Sequence, residues 1–210
     1  MVKEISVSWL IASNTDNEKL INSINSILKY SNSEDFEIIV VLNGSAIKNT
    51  NFYRKIESIS NKIRIYKCHL NGLTHSLNLG LNKSKGNFIA RLDAGDFCLI
   101  DRHALFIELS KSNNIPVLTT AMKNWKPNIH INEGFIPFWK LFLGNPFAHP
   151  TLFINKNLLV NLGGYQGWET AQDYDLYLRL YMAGHKIYYS KERAVKYEKI
   201  SYGDSRNFKV

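Results

Sequence analysis

Two runs that are β-branched and apolar almost throughout do most to limit what this chain can become: residues 4–12, around "ISVSWLIAS", and "FEIIVVL" from Phe36. A strand with one wet face alternates apolar and polar residues, so a run without alternation must be covered on both faces, as in a parallel sheet layered between helices. Between the runs, Asn14-Thr15-Asp16 offers a turn and cap, and Leu20, Ile21, Ile24, Ile27 and Leu28 recur at helical spacing. "KIRIYKC" predicts a third strand, Leu73, Leu77 and Leu81 a helix by their i, i+4 repeat, and "NFIARL" a fourth strand. Strand and helix in alternation predict an α/β fold: a doubly wound, mostly parallel sheet flanked by helices, one domain over residues 1–210.

The later chain keeps the rhythm only in part. A helix near 101–112 and a strand at "IPVLTTAM" are expected, then Pro127, Pro137, Pro146 and Pro150 interrupt residues 123–150. That segment also carries Phe135, Phe138, Trp139, Phe142 and Phe147, either a satellite core, a lid over an acceptor, or a membrane-touching patch. A helix over 171–183 and a strand at "HKIYYS" follow, and beyond 193 comes a basic tail with Arg193, Lys196, Lys199, Arg206 and Lys209.

Charge and leader signals narrow the function classes. The formal net charge of +8 favours anionic partners. The Lys and Arg residues are scattered, with no zinc finger, basic helix or RNA-binding aromatic signature, so nucleic acid is not expected. The N-terminus reads as no signal peptide and no apolar run approaches the ~20 residues of a membrane span, so an intracellular location is expected. Cys68 and Cys98 lack metal-ligand spacing and read as reduced thiols.

In doubly wound sheets, ligands bind at the carboxyl ends of the strands. Here those ends are polar: Ser13-Asn14 after the first strand, Asn43-Gly44-Ser45 after the second, and Asp93 after the fourth. Asp93-Ala94-Gly95-Asp96 is either a tight turn or a pair of carboxylates able to hold Mg²⁺ or Mn²⁺ against phosphate oxygens. Thr170-Ala171-Gln172-Asp173 opens the late helix; it resembles a capping box, and it also sets Asp173 where a general base would stand. His149 reads as a structural histidine or as one orienting an acceptor, while Asn71-Gly72-Leu73 and Ser76-Leu77-Asn78 either cap a helix or present groups to a nucleotide.

Taken in order, "ISVSWLIASN", "IIVVLNGS", "NGLTHSLNLGLNKSKGNFIARLDAGD", "NPFAHPTLFINKNLLVNLGGY" and "AQDYDLYLRL" resemble the successive motifs of family 2 glycosyltransferases with the GT-A fold. The resemblance covers residues 4–190 and implies an inverting transferase of bacterial surface-polysaccharide assembly, using a nucleotide-sugar, commonly UDP-linked, and a divalent metal. It implies that residues 1–100 bind the donor through Ser13, Asn14, Asn43, Asn71, Asn78, Arg91 and Asp93. It implies metal ligation by Asp93 and Asp96, and Asp173 as base within an acceptor half over 101–192, with His149, Trp168 and Gln172 orienting acceptor or sugar. The acceptor it implies is a saccharide or a lipid-linked saccharide, and the aromatic segment and basic tail suit a peripheral contact with an anionic membrane.

Three departures from the family pattern bear on function. The common "DADD" is "DAGD" here, so Gly95 lacks a ligand, and "DDGS" is Leu42-Asn43-Gly44-Ser45, removing a carboxylate that often reads the base. Gln172 replaces Glu. Two alternatives stay open: a donor-binding protein without turnover, and a nucleotidyltransferase, for which "ASNTDNEKL" lacks the glycine- and basic-rich triphosphate loop.

Overall fold

The computed structural model describes residues 6–31, 35–44, 48–127, 129–167 and 170–198. The expected alternation is present: β1 (Val7–Ser13), α1 (Glu18–Tyr30), β2 (Phe36–Leu42), α2 (Thr50–Glu57), β3 (Ile63–Lys67), α3 (Leu73–Lys83) and β4 (Phe88–Arg91). β1, β2, β3 and β4 pair in parallel. Every residue of β2 is buried, including Glu37, whose carboxylate accepts from Ser8 Oγ and Lys85 N.

Past β4 come β5 (Phe97–Cys98), α4 (Arg102–Ser110), β6 (Val117–Lys123), β7 (Gly134–Phe135), β8 (Phe153–Asn155), α5 (Lys156–Asn161), α6 (Gln172–Met182) and β9 (Ile187–Lys196). The sheet order is β3-β2-β1-β4-β8-β6-β9-β5, with β7 paired to β9. The short β8 runs antiparallel between β4 and β6, and β6 pairs with β9 in parallel. One sheet therefore crosses both halves of the chain.

One correction to the expectations has a physical reason. β9 extends to Lys196, because its far end takes β5 as an antiparallel partner; Arg193 and Lys196 thus belong to the sheet and not to a tail. Lys199, Arg206 and Lys209 lie outside the described residues.

Two apolar layers cover the sheet, one gathering Trp9, Ile24 and Phe153 and the other Leu10, Leu77 and Tyr177. α3 approaches β1 so closely that a Cβ on Gly80 would lie 2.2 Å from Leu10 Cδ1, so glycine is required there. Both cysteines are free and buried.

Candidate active site

β1, β2 and β4 end at one edge of the sheet because they run in parallel. Past those ends, Ser13, Asn14, Asn43, Gly44, Asn71 and Gly72 line a cleft of about 430 Å³. Four of the expected donor residues therefore share one wall. Asn43 is oriented by donating to Ser76 Oγ at 2.8 Å, and its buried Oδ1 has no hydrogen-bond partner. Ser13 Oγ donates to Thr15 O at 2.8 Å, tightening the turn behind β1.

Asn78 has another use. Its Nδ2 donates to Tyr165 O at 2.7 Å and its Oδ1 accepts from Tyr165 N at 2.9 Å, so both ends of the amide hold a backbone 87 residues away. These two bonds give Asn78 a structural role as a clamp on the Tyr165 backbone.

Arg91, fully buried at the end of β4, donates to Leu10 O and Leu92 O, each at 2.7 Å, and forms an ion pair with Asp93 Oδ1. Through these bonds it fixes the direction in which Asp93 leaves the strand. A second buried arginine, Arg102, sits behind it, donating to the carbonyls of Arg91 and Pro150 with its guanidinium over the Trp9 ring. Arg91 was expected to touch the donor; being fully buried, it acts through Asp93 instead.

α6 begins at Gln172, and Asp173 stands in its first turn. The helix is capped differently from the expected Thr170 box. Ala171 is the N-cap, with φ 61° in the left-handed region that non-glycine residues rarely occupy, and no side chain caps the helix. Asp173 is held instead by Asn145, whose Nδ2 donates to its Oδ2 at 2.9 Å.

His149 lies between these groups, 8% exposed, with Nε2 3.2 Å from the Tyr165 hydroxyl. Burial above all, then the charge of Arg91, holds its pKa down at about 4, against the opposing pull of Asp173 and Asp93. The same two carboxylates act on the buried Tyr165 and Tyr177 hydroxyls, whose pKa values burial raises. Asp93, Asp173, His149 and Arg91 thus form one electrostatic cluster, assembled from residues 80 positions apart in sequence. Gln172 lies beside the cluster at the helix start, and Trp168 lies outside the described residues.

The pair expected to share a metal is split. Asp93 keeps 28% side-chain exposure, whereas Asp96 is 1% exposed and its Oδ1 accepts from the backbone N–H of Glu198 at 3.3 Å. Gly95 contributes no side chain; its φ of +103° is the conformation that lets the turn close against α1, where its N–H donates to Ser23 Oγ at 2.8 Å. Among the described residues no three His, Cys, Asp or Glu side chains gather as a metal site. Such a site fits a hard cation only in its leanest form, with Asp93 as the protein carboxylate and phosphate and water oxygens supplying the rest.

Asn145, Tyr165, Arg102 and Ala171 escaped the sequence reading. Asn145-Pro146 carried only a turn signal, and nothing in "GGY" announced that Tyr165 faces His149.

Comparison with known proteins gives this arrangement a context. The model of the family described as Glycosyl transferase family 2 matches residues 8–154. Over 173 residues the chain is 31% identical to the O-antigen biosynthesis glycosyltransferase WbnJ of Escherichia coli, covering 75% of this chain and 65% of that protein. It is 30% identical over 125 residues to the amylovoran biosynthesis glycosyltransferase AmsE of Erwinia amylovora, covering 55% of this chain and 46% of AmsE. It therefore spans less than two thirds of the length of either curated relative.

Among solved structures, S. aureus TarS 1-349 in complex with UDP-GlcNAc superposes with a TM-score of 0.81 at 15% identity, covering 98% of this chain and 62% of that one. The mannosyltransferase PcManGT from Pyrobaculum calidifontis, in complex with GDP-Man and Mn²⁺, gives 0.75 at 13% identity, covering 96% and 59%. At these identities the likeness is one of fold, and the fold is the expected GT-A type.

Proposed function

Because the chain belongs to glycosyl transferase family 2, we propose that it moves a sugar from a nucleotide-sugar, with UDP as the nucleotide, to a hydroxyl of a saccharide or lipid-linked saccharide in surface-polysaccharide assembly. The O-antigen and amylovoran roles in the names of its relatives support that setting. The observation that carries the reading is that Asp93, just past β4, and Asp173, in the first turn of α6, act on the same buried His149 and Tyr165.

In this reading residues 1–100 hold the donor and residues 101–192 the acceptor. Ser13, Asn14, Asn43 and Asn71 line the nucleoside's side of the cleft. Asp173 accepts the proton of the acceptor hydroxyl as that oxygen bonds to the anomeric carbon. The bond to the diphosphate oxygen breaks on the opposite face, its electron pair leaves with the nucleoside diphosphate, and the centre inverts. Neutral His149 and Tyr165 wall the pocket without adding a charge. A divalent cation, Mn²⁺ or Mg²⁺, held by Asp93 and the donor phosphates would neutralise charge on the departing diphosphate. The enzyme works at the inner face of the cytoplasmic membrane, in peripheral contact with it.

The test is release of UDP from UDP-sugars in the presence of saccharide acceptors. Asp173→Asn is expected to abolish release while still binding UDP. Release unchanged in that variant would remove Asp173 from the chemistry, and absence of release from any donor by the wild type would favour a donor-binding protein without turnover.

A further inference from the structure

Residues Phe138–Leu143, "FWKLFL", form one 3-10 helix between Pro137 and Gly144. Of its five apolar side chains only Leu141 is buried; Phe138 is 38% exposed, Trp139 55%, Phe142 72% and Leu143 59%. Phe138 stacks on Tyr181 of α6 with ring centroids 5.3 Å apart, and the next residue, Met182, is 80% exposed. Single exposed apolar residues are ordinary on protein surfaces; four within six residues make a patch that asks for a partner.

The patch is held rigidly outward. Tyr174 Oη donates to Leu141 O and Tyr181 Oη to Ile136 O, each at 2.6 Å, so α6 fastens the backbone of the segment at two points. Cations sit within and beside it. Lys140 Nζ lies 4.7 Å from the Trp139 ring centroid while donating to His130 O, and Lys186 precedes Ile187, whose carbonyl accepts from Ile136 N.

We propose that this face seats itself in the headgroup layer of an anionic lipid bilayer, with Trp139, Phe142 and Leu143 entering the acyl boundary and Lys140 and Lys186 meeting lipid phosphates. Aromatic and aliphatic side chains interleaved with lysine match the layering of that interface, and the formal net charge of +8 suits the same partner. A second copy fits less well. A twofold contact would bring both Lys140 ammoniums into one apolar seam.

The purpose of the contact rests on the proposed function. Asn145 follows Leu143 by two residues and holds Asp173, so docking here would set the base at a fixed height above the lipid, where a lipid-linked acceptor presents its hydroxyl.

The test is co-sedimentation with vesicles of phosphatidylglycerol in phosphatidylcholine, and of phosphatidylcholine alone, for wild type, Trp139→Ser/Phe142→Ser and Lys140→Glu. Trp139 and Phe142 are exposed and Lys140 is half-buried with its ammonium on His130 O, and unchanged circular dichroism and melting confirm the fold of each variant. Wild type should sediment with the anionic vesicles, the double variant at least 10-fold more weakly, and Lys140→Glu in between; Trp139 emission should shift to the blue on binding.

Wild type that stays in the supernatant overturns the proposal, as does a double variant that binds as well as wild type. A dimer in light scattering that Phe142→Ser dissolves would give the face to a second copy instead. Asp173→Asn is expected to bind vesicles like wild type. Vesicle binding without sugar transfer by the wild type would therefore sink the functional reading and leave the docking face standing.

Discussion

Asn145 Nδ2 lies 2.9 Å from Asp173 Oδ2, and the other end of the same amide, Oδ1, accepts the N–H of Phe147 at 3.1 Å. Since a backbone N–H requires an oxygen partner, the Phe147 bond settles which way the amide faces, and its NH₂ must point at the carboxylate. One oxygen of Asp173 is thereby spent on position, leaving Oδ1 to meet an acceptor. Asn145→Ala should lower turnover by roughly 10- to 100-fold with UDP affinity unchanged, because the base loses its orientation but the donor cleft does not. Asn145→Asp should be worse, as two carboxylates would face each other. Steady-state kinetics beside calorimetric UDP titration separates the effects, and equal loss of both would contradict a positioning role.

His149 sets a pH dependence of stability. Its folded pKa of about 4 lies below the ordinary value near 6.5, so as pH falls through that window the unfolded chain binds a proton that the folded chain refuses. Stability from this residue is complete above about pH 6.5 and drains away as pH falls towards 4. Integrated, this is about 2 kcal/mol lost between pH 7 and pH 5. His103, whose pKa burial also lowers, adds in the same direction. Urea unfolding at the two pH values should show the drop, and His149→Gln should reduce it.

Arg91 is predicted to matter for stability and for donor binding at once. Arg91→Met takes the guanidinium donor from Leu92 O and releases Asp93, while Leu10 O keeps the backbone N–H of Leu92 at 3.2 Å. One buried carbonyl without a donor predicts a loss on the order of 1–3 kcal/mol, read by chemical denaturation. UDP affinity should fall as well, because Asp93 no longer has a fixed direction. Arg91→Lys, with one compact ammonium in place of a forked donor, should recover little of either.

Ala171 carries backbone strain at the mouth of the site. Its φ of 61° suits glycine, and Ala171→Gly should leave stability unchanged or raise it by up to about 1 kcal/mol despite the added chain entropy. Thermal melting measures the change. A fall of more than 1 kcal/mol would show that the conformation is held by something other than local backbone preference.

The fold was legible where burial imposes a pattern. β2, buried along its whole length, is apolar except for Glu37, whose carboxylate accepts from Ser8 Oγ and Lys85 N, and α3 shows its Leu73, Leu77, Leu81 repeat although Leu73 itself is partly exposed. β8 was invisible: it is three residues long and gains its place from β4 and β6 on either side, a tertiary fact with no local period. α2 buries only Phe52 and Ile56, too few to announce a helix.

The site divides the same way. Asp93 and Asp173 could be picked out because strand ends and helix starts are where chemistry collects, and both carboxylates act on one histidine in the structure. The clamp that Asn78 makes was not legible, because an amide on a helix has the same appearance whether it serves a ligand or a backbone; only the fold reveals Tyr165 opposite it. The burial of Asp96 was not legible either, because spacing cannot tell an exposed acid from one closed against the Glu198 backbone.

The most direct test of the account is calorimetric titration of UDP and GDP, with and without Mn²⁺, into wild type, Asp93→Asn and Asp173→Asn. The account predicts that wild type and Asp173→Asn bind UDP alike, in preference to GDP, and that Asp93→Asn binds it at least 10-fold more weakly, the step that separates donor holding from proton transfer. No binding of either nucleotide, or equal binding by all three proteins, would contradict it.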